Sequence, residues 1–350
     1  MSPKKRTTVA AQAIDDALTA DPKVASMTLA KRLYKQHPEM WPSLEGCRTA
    51  IRKLRGAQGC KARQQVTRRI AQRTPEESEA CRKWGALLPE PEPSEFRWHE
   101  LPEDVQRWLI VADLHVPYHD REALTACLGH AEGSCDGVLI LGDGPDAYQL
   151  SSFMRDPRKR SFGRELEAWC QVLDAFKSLD TKRVVWKAGN HEYRLERYLW
   201  AKAAELADLK RVHPGGETED GEHFSWPSFC CLEERGIDWI PAGDPIRHHE
   251  LSLIHGHEWG NRFSSPVNPA RGAFLKAHDC TIEAHCHRTS HHVEHTLRER
   301  PIACWSIGCL CDLHPVYRPL GNKWNSGFAY LETGSEWRVE NHRVINGEVV

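Results

Sequence analysis

Five short polar clusters contain the side chains of this chain that are best suited to chemistry, and each follows an apolar run. They combine carboxylate, amide and imidazole groups, and in chain order they are Asp113-Leu114-His115, Gly142-Asp143, Gly189-Asn190-His191-Glu192, His255-Gly256-His257 and His285-Cys286-His287. Oxygen and imidazole nitrogen are the ligands that hard and borderline divalent metals prefer in proteins. A single Asp-x-His sequence means little, but five such clusters predict one metal site assembled from distant loops.

The runs before these clusters predict the elements that position them. Each run contains mainly apolar or β-branched residues and is stopped by Gly or a polar residue, and the runs cover residues 108–112, 138–141, 184–186, 251–254 and 281–282. This pattern is typical of buried strands. In layered α/β folds the strand ends and the loops beyond them carry the functional groups. We therefore expect all five clusters along one rim of a sheet.

In this order the clusters resemble the signature of calcineurin-like metallophosphoesterases, which is Asp-x-His, Gly-Asp, Gly-Asn-His-Asp/Glu, a His usually followed by Gly, and Gly-His-x-His. The resemblance covers residues from about 107 to about 290 and touches every part of the signature, with Ala284 in place of the last Gly. It implies an α/β fold, a four-layer α/β/β/α sandwich of two mixed sheets. After the last cluster, apolar runs at 302–305, 328–331 and 337–339 predict closing strands.

The resemblance also implies the ligands of two divalent metal ions that share one carboxylate. One ion would be held by Asp113, His115, Asp143 and His287, and the other by Asp143, Asn190, His255 and His285. The residue chemistry agrees, because a carboxylate has two oxygens and can bridge two cations. Ions paired in this way lie about 3.5–4 Å apart. Manganese is the first expectation for the metal, and Fe, Zn, Ni or Mg also suit this mixture of ligands.

The reaction implied by the family is hydrolysis of a phosphate ester by a hydroxide that bridges the two metal ions. A bridging water loses a proton near neutral pH and attacks phosphorus in line with the leaving oxygen. His191 matches the non-ligand histidine of the family, which implies that it stabilises charge on the phosphoryl group or protonates the leaving group. The chain is therefore predicted to be a metal-dependent phosphoric ester hydrolase.

Four polar residues beside the ligands have an ordinary structural interpretation as well as a functional one. Asp146 is either the family's frequent second Asp or a turn residue. Glu192 and Arg194 either support the site or face the substrate, or they simply begin a helix. His257 competes with His255 for the ligand role, and His255 is preferred because a glycine follows it directly, as in the family.

Basic residues are concentrated near the start of the chain. The 350 residues have a formal net charge of −2, but residues 1–74 contain 16 Lys and Arg against 5 Asp and Glu, a net charge of +11. Residues 75–350 contain 31 basic and 44 acidic residues, a net charge of −13. Such asymmetry indicates that a basic module is joined to an acidic one.

Apolar spacing predicts three short helices in the basic module, near residues 9–18, 25–34 and 43–54. Around its apolar stripe, the third helix carries the basic residues Arg48, Arg52, Lys53 and Arg55. This arrangement is compatible with a helix-turn-helix module that binds nucleic acid, and a small helical bundle with a solvated basic face explains it too. Further phosphate contacts would come from Lys61, Arg63, Arg68, Arg69 and Arg73.

The predicted organisation is a basic helical domain at 1–74, an acidic, Pro-rich linker at 75–100 and a metallophosphoesterase domain at 101–350. No apolar stretch reaches the ~18 residues needed to cross a bilayer. The first residues have no apolar signal-peptide core behind them, and the 13 cysteines show no Cys-x-x-Cys pair. We therefore expect a cytoplasmic protein with reduced cysteines and no membrane partner.

Three hypotheses about the partner of the site remain open at this point. The first is a nucleic-acid phosphoesterase, a nuclease or end-processing phosphatase, to which residues 1–74 deliver DNA or RNA. The second is a phosphatase or phosphodiesterase of small nucleotides or phosphoproteins. The third is a DNA-binding protein with a vestigial metal site, and the intact ligand set argues against it. A basic helical module joined to this catalytic domain is also similar to proteins of phages and mobile elements.

Overall fold

A computed structural model of the chain describes residues 9–21, 24–55, 84, 87–92, 97–156, 158, 161–214, 218, 223–260, 267–334 and 336–350. Contacts divide the chain into two compact units, Met1–Ser94 and Glu95–Val350. Most of the predicted linker lies outside the described residues, as do the basic residues predicted between positions 61 and 73. Within the described part of the chain, no helix is both long and apolar enough to cross a membrane.

Three helices form the described part of the first unit: α1 (Val9–Ala20), α2 (Ser26–Gln36) and α3 (Leu44–Leu54), with a 3₁₀ turn at Pro38–Met40. Ser43 caps α3, because its hydroxyl accepts a hydrogen bond from the backbone N–H of Gly46. The apolar faces of the helices meet in a small core that includes Ile14, Leu29, Leu33, Cys47 and Ile51. The helices predicted from the sequence are therefore present.

The basic residues of α3 differ in their surroundings. Arg48 is half-buried and pairs with a glutamate one turn earlier at 3.1 Å. Arg55 donates hydrogen bonds to a hydroxyl and a backbone carbonyl at the start of α2. Arg52 and Lys53 are exposed. Arg55 thus fastens two helices together, whereas Arg52 and Lys53 extend from the unit into solvent.

Two mixed sheets form the second unit. Their strands are β1 (His99–Glu100), β2 (Arg107–Val111), β3 (Gly137–Leu141), β4 (Arg183–Lys187), β5 (Ile237–Ile240), β6 (Ile246–His248), β7 (Leu251–Ile254), β8 (Cys280–Glu283), β9 (Ser290–His295), β10 (Pro301–Ser306), β11 (Gly327–Glu332), β12 (Arg338–Ile345) and β13 (Glu348–Val349). The seven-stranded sheet has the order β13-β12-β11-β2-β3-β4-β5, and the six-stranded sheet has the order β1-β6-β7-β8-β10-β9. Strand β1 lies within residues 75–100, which were predicted to be a linker.

Helices pack against the sheets. They are α4 (Arg121–Ala131), α5 (Phe162–Lys177), α6 (Tyr193–Lys202), α7 (Trp226–Phe229), α8 (Leu232–Arg235) and α9 (Pro269–Ala277), with 3₁₀ turns at Tyr148–Leu150, Ala204–Leu206 and His257–Trp259. One core joins the seven-stranded sheet to α4, α5 and α6 through residues such as Leu109 and Trp169. A second core joins the two sheets through residues such as Ile110 and Ile282. Helix α9 contacts β8, β9 and β10. The predicted α/β sandwich of two mixed sheets is confirmed.

The predicted rim is formed by parallel strands that end together. Strands β2, β3 and β4 are parallel neighbours, and Leu141 at the end of β3 pairs with Lys187 at the end of β4. In the other sheet, β7 and β8 are parallel, and Ile254 pairs with Glu283 at their ends. Because parallel strands place their carboxyl ends at one edge, the loops that follow these strands emerge side by side.

Candidate metal centre

Side chains from four of the five clusters meet directly beyond these strand ends. His115 Nε2 lies 3.2 Å from His287 Nε2. His287 Nε2 also lies 3.3 Å from Asp113 Oδ1, and His255 Nε2 lies 3.2 Å from Asp143 Oδ2. All five side chains are buried, with Asp113 and His255 wholly inaccessible to solvent. The structure therefore brings the predicted ligands from separate loops into one cavity.

His285 and Asn190 complete this group. Ligand atoms of Asp143, His255 and His285 lie within 4.8 Å of one another, and the backbone N–H of His285 donates a hydrogen bond to an oxygen of Asp113 at 2.8 Å. Asn190 follows Gly189, which packs against Asp143. It precedes His191, whose backbone N–H donates a hydrogen bond to the Asp143 carboxylate. Each residue of the two predicted ligand sets therefore lies at this cavity or directly beside it.

The backbone at the cavity has an unusual conformation. Five predicted ligands have positive φ angles, at 53° for Asp113, 48° for His115, 53° for Asp143, 61° for His285 and 56° for His287. Such angles are uncommon for residues other than glycine, cost of order 1–3 kcal/mol each, and cluster at functional sites. The left-handed turns at the strand ends direct these side chains inward, and the packed sheets beneath must offset the strain.

Two glycines allow the loops to approach each other. A Cβ atom on Gly142, which has a φ of 92°, would lie 2.4 Å from the His255 ring. A Cβ atom on Gly189 would lie 2.3 Å from Asp143 Oδ1. Both distances are well below van der Waals contact, so the glycines of the Gly-Asp and Gly-Asn-His sequences are required by space. Ala284 needs no such freedom, because its own backbone does not adopt a positive φ.

Among the described residues, three buried atoms in the cavity lack a well-aligned hydrogen bond: Asp113 Oδ1, Asn190 Oδ1 and His255 Nε2. Two of them still have a polar neighbour, since Asp113 Oδ1 lies 3.3 Å from His287 Nε2 and His255 Nε2 lies 3.2 Å from Asp143 Oδ2. A buried polar atom left unsatisfied costs about 1–3 kcal/mol. The other ring nitrogen of His255 lies 2.8 Å from the carbonyl oxygen of Leu141, a contact that orients Nε2 toward the cavity. Two oxygens and an imidazole nitrogen that converge in a buried cavity without well-aligned hydrogen bonds are ligand atoms that divalent cations would satisfy, so these residues fit the metal ions that the sequence implies.

Buried charges of opposite sign shift the pKa values of these groups. Burial alone would raise the pKa of Asp143, but the neighbouring His191 and His255 outweigh this and hold it well below its usual range. Burial alone would lower the pKa of His255, but Asp143 outweighs this and raises it to about 10. His285 behaves differently, since burial and the neighbouring His255 lower its pKa to about 4. Protons and cations therefore compete for His255, so metal affinity rises with pH.

His191 is held by its neighbours at one side of the cavity. Its Nδ1 lies 2.8 Å from the carbonyl oxygen of Asp146, and its Nε2 lies 2.8 Å from Arg194 Nη2. Because a guanidinium only donates, Nε2 accepts this hydrogen bond and Nδ1 carries the proton. The Asp146 carboxylate also lies 3.3 Å from His115 Nδ1. Burial would raise the pKa of Asp146, but His115 and His191 lower it far below its usual range. Asp146 and Arg194 thus belong to the site's polar network.

Glu192 fastens two loops to each other. Its carboxylate accepts hydrogen bonds from the backbone N–H groups of Asp143, Gly144 and Gly189, at 3.1, 2.8 and 2.7 Å, and from the Trp186 indole at 3.1 Å. Burial raises the pKa of Glu192, and Asp143 adds to this effect. The side chain is buried among these donors. The geometry therefore favours a supporting role over contact with the substrate.

Sequence reasoning missed a buried ion pair beneath the fourth cluster. Lys187 is wholly buried, and its Nζ lies 2.6 Å from Glu258 Oε1. The Glu258 carboxylate accepts hydrogen bonds from the backbone N–H groups of His255 and Gly256, at 3.2 and 2.6 Å. The pair therefore holds the turn that carries His255. The signal in the sequence was a lysine at the end of the apolar run before the third cluster.

His257 occupies the same turn as Glu258 but is placed differently from His255. Its Nδ1 lies 3.4 Å from a Glu258 oxygen, and its ring centroid lies 5.4 Å from that of His255. Burial lowers its pKa to about 4, although Glu258 opposes this shift. Of the two histidines, only His255 has a ring nitrogen within 4 Å of Asp143 among the contacts described. The preference for His255 as the ligand remains a prediction that this geometry supports.

Replacing Lys187 by Met is expected to lower the free energy of unfolding by about 3–5 kcal/mol, because it leaves a buried carboxylate without its countercharge. Burial would raise the pKa of Glu258, but Lys187 outweighs this and lowers it to about 2. The contribution of the pair is therefore complete above pH 4.5 or so and is lost as the pH falls toward 2. Urea denaturation followed by tryptophan fluorescence measures the loss.

Two variants make this measurement specific. Lys182→Met removes an exposed lysine from the segment just before the same strand and should have little effect. The double variant K187M/E258Q should be more stable than K187M, because it no longer buries an unpaired charge. Equal losses for K187M and K182M would contradict the role of the ion pair.

Cys311 is a second residue that sequence reasoning did not connect with the site. Its buried sulfur lies 3.6 Å from His287 Nδ1. Ligand atoms of His115, His287 and Cys311 lie within 4.8 Å of one another. The sequence contained no signal for this contact, because Cys311 follows none of the five strands that precede the clusters.

Comparison with known proteins agrees with the geometry. A family model described as calcineurin-like phosphoesterase matches residues 107–308. The Gene 54 protein of Mycobacterium phage L5 is 23% identical over 238 residues, which cover 65% of this chain and 88% of that protein. Among solved structures, Vps29 of Chaetomium thermophilum has a TM-score of 0.33 at 11% identity and covers 70% of this chain and 93% of its own. Yfce, a phosphoesterase from E. coli, has a TM-score of 0.28 at 14% identity, with coverages of 65% and 88%.

Proposed function

The chain belongs to the calcineurin-like phosphoesterase family, and on this premise we propose that it hydrolyses phosphate esters of nucleic acid, as a nuclease or an end-processing phosphatase. Metal-dependent hydrolysis of phosphoesters is the activity that family membership supports directly. The observation that supports this activity most strongly is the buried cavity in which Asp113, Asn190 and His255 bring together a carboxylate, an amide oxygen and an imidazole nitrogen without well-aligned hydrogen bonds. Burying such polar atoms together costs free energy, which bound cations would offset.

The proposed ligand sets are those expected from the sequence, with Asp143 common to both. Two divalent cations, with manganese proposed first, would supply Lewis acidity toward a phosphoryl oxygen. Side chains of the protein would orient the substrate and supply charge at the site. His191 is held between Arg194 and Asp146, and once its Nε2 is protonated and released from Arg194 it would hydrogen-bond the phosphoryl group or pass a proton to the leaving oxygen. Arg194 adds a fixed positive charge beside the position of a phosphate anion.

A nucleic-acid substrate is favoured by the charge of the first unit. Residues 1–74 have a net charge of +11, and Arg52 and Lys53 extend from α3 into solvent. Basic side chains on an exposed helix are suited to contact the phosphate backbone without reading its sequence. Small nucleotides or phosphoproteins remain the alternative substrates, and they have no need of this basic helix.

The double variant R52E/K53E of the full-length protein tests the proposal. We expect weaker binding of single-stranded DNA, duplex DNA or RNA and a salt-dependence slope that is lower by about 2, since each phosphate contact contributes about 1. Hydrolysis of p-nitrophenyl phosphate and bis-p-nitrophenyl phosphate with Mn²⁺ should not change. Fluorescence anisotropy at several salt concentrations measures binding, and steady-state assays measure turnover.

A matched variant separates this effect from a general change in charge. K202E/R298E makes the same change in charge at two exposed positions of the second unit and should leave the salt dependence intact. If R52E/K53E binds and cleaves polynucleotides as well as the unaltered protein does, the first unit does not deliver the substrate. Preference for a small nucleotide or a phosphopeptide would then support the alternative.

A further inference from the structure

A loop rich in exposed aromatic and basic residues is attached to the metal centre at both ends. We call residues 312–325 the aromatic loop. At its start, the backbone N–H of Asp312 donates to the carbonyl oxygen of Tyr118 at 2.8 Å, three residues beyond His115. At its end, the backbone N–H of Asn325 donates to the carbonyl oxygen of His287 at 3.0 Å. The loop is therefore positioned by the loops that carry two of the proposed ligands.

The aromatic loop is also ordered by its own hydrogen bonds. The side-chain amide of Asn322 donates to the carbonyl oxygens of Leu313 and Arg318, at 2.6 and 3.1 Å. His314 Nδ1 lies 3.0 Å from the carbonyl oxygen of Pro319. A loop that is tied across its own width in this way presents its side chains in a defined arrangement rather than as a flexible tether.

A series of rings leads from the metal centre to solvent along this loop. The ring of Trp324 lies over the ring of His287, with centroids 4.3 Å apart and planes at 47°. Tyr317 continues the series, with its ring centroid 6.3 Å from that of Trp324 and the two planes at 62°, so the rings meet edge to face. Trp324 is half-buried, whereas Tyr317 is 76% exposed. Exposure alone is ordinary for a single aromatic side chain, but this ring lies in a series that begins at a proposed metal ligand, which places it where a bound substrate would extend.

The charges of the loop suit an anionic ligand that is longer than one phosphate. Arg318 and Lys323 are exposed on the same loop as the two aromatic rings. A base that stacks on Tyr317 and Trp324 would be joined to the phosphate at the metal centre, and the next phosphates of a strand would lie within the field of these basic side chains.

We propose that Trp324 and Tyr317 form an aromatic platform for the nucleobase next to the scissile phosphate, in which one ring stacks on the face of the base and the other meets its edge. This inference rests on the proposed function and narrows the substrate class to nucleotide esters with an unpaired base, because a base in a duplex is already stacked. Stacking on aromatic side chains is tolerant of sequence, since every base has a π face. The shared ligand is therefore a nucleobase with its phosphate, in a single strand or in a nucleoside phosphodiester.

The test compares two esters with the same leaving group in variants of the full-length protein. The p-nitrophenyl ester of thymidine 5′-phosphate carries a base, and methyl p-nitrophenyl phosphate does not. We expect Trp324→Ala and Tyr317→Ala each to lower the ratio of their kcat/KM values by roughly tenfold. Trp324→Phe and Tyr317→Phe should restore most of it. Leu320→Ala changes an 83% exposed side chain of the same loop and should leave the ratio unchanged.

Binding measurements show whether the base belongs to a single strand or to a small nucleotide, and they do not depend on turnover. Fluorescence anisotropy should show that the protein binds a single-stranded oligonucleotide more tightly than an abasic oligomer of equal length. Trp324→Ala and Tyr317→Ala should lose this difference in affinity. If base dependence appears with the nucleoside ester but not with the oligonucleotide, the platform serves small nucleotides. Absence of hydrolysis in the unaltered protein would count against the proposed function alone, because base-dependent binding still reports on the platform.

Three results would overturn the platform. An equal loss with both esters would show that Trp324 only supports His287. An unchanged ratio of the two kcat/KM values in Tyr317→Ala would show that the exposed ring does not contact the base. A larger effect on hydrolysis of a phosphotyrosine peptide than on the thymidine ester would assign the rings to a phosphoprotein.

Discussion

Asp143→Asn is expected to lower kcat for bis-p-nitrophenyl phosphate at least about a thousandfold, because loss of metal-ion catalysis removes several kcal/mol of transition-state stabilisation. Asp143 lies at the centre of the cavity. One of its oxygens is 3.2 Å from His255 Nε2 and 3.9 Å from His115 Nε2, and the other accepts a hydrogen bond from the backbone N–H of His191 at 2.9 Å. An asparagine has one neutral oxygen and cannot serve both sides.

Two measurements accompany the rate. Elemental analysis after dialysis against Mn²⁺ should show fewer ions bound per chain than in the unaltered protein, while circular dichroism shows that the fold is kept. Asp238→Asn provides the control, since it makes the same substitution at an exposed position of β5. A D143N protein that retains both its metal content and its rate would refute the shared-carboxylate centre.

His191→Ala is expected to lower kcat by about 10²–10⁴-fold while leaving the metal content unchanged. The ring lies at the edge of the cavity, with Nε2 3.7 Å from an Asp143 oxygen and engaged by Arg194 at 2.8 Å. Nε2 accepts a hydrogen bond from Arg194 in this structure, so we expect that it must be protonated and released from Arg194 before it can donate to the phosphate group. The same steady-state assay and elemental analysis measure both quantities.

The competing interpretation is that His191 is itself a ligand. Ligand atoms of His115, Asp143 and His191 lie within 4.8 Å of one another, so the geometry permits this role. Loss of metal together with activity in His191→Ala would establish it. His295→Ala, at an exposed position of β9, should change neither quantity.

The strands that precede the five clusters were accessible from the sequence because buried strands are short apolar runs with polar ends. The runs at 138–141 and 251–254 predict β3 and β7 to within a residue. Helices α1, α2 and α3 were accessible for the same reason, from the spacing of their apolar residues. Strand β1 was not, because its two residues carry no apolar pattern and owe their conformation to pairing with β6.

Supporting residues were harder to predict than the ligands themselves. Glu192 had three open interpretations, and only the backbone N–H groups that surround its carboxylate distinguish among them. Lys187 and Glu258 are separated by more than 70 residues and share no local pattern. Their pairing depends on two loops that meet only when the sheets are packed together.

The sequence alone determined which residues are able to bind metal and that their loops follow buried strands, because ligand chemistry and strand periodicity are local properties of the chain. Tertiary structure decided how these residues meet. The left-handed turns at Asp113 and Asp143, the orphaned oxygen of Asn190 and the ring series that ends at Tyr317 all depend on contacts between distant segments. Such strain and unsatisfied polarity persist only where the surrounding packing offsets their free-energy cost, and that packing forms only in the folded chain.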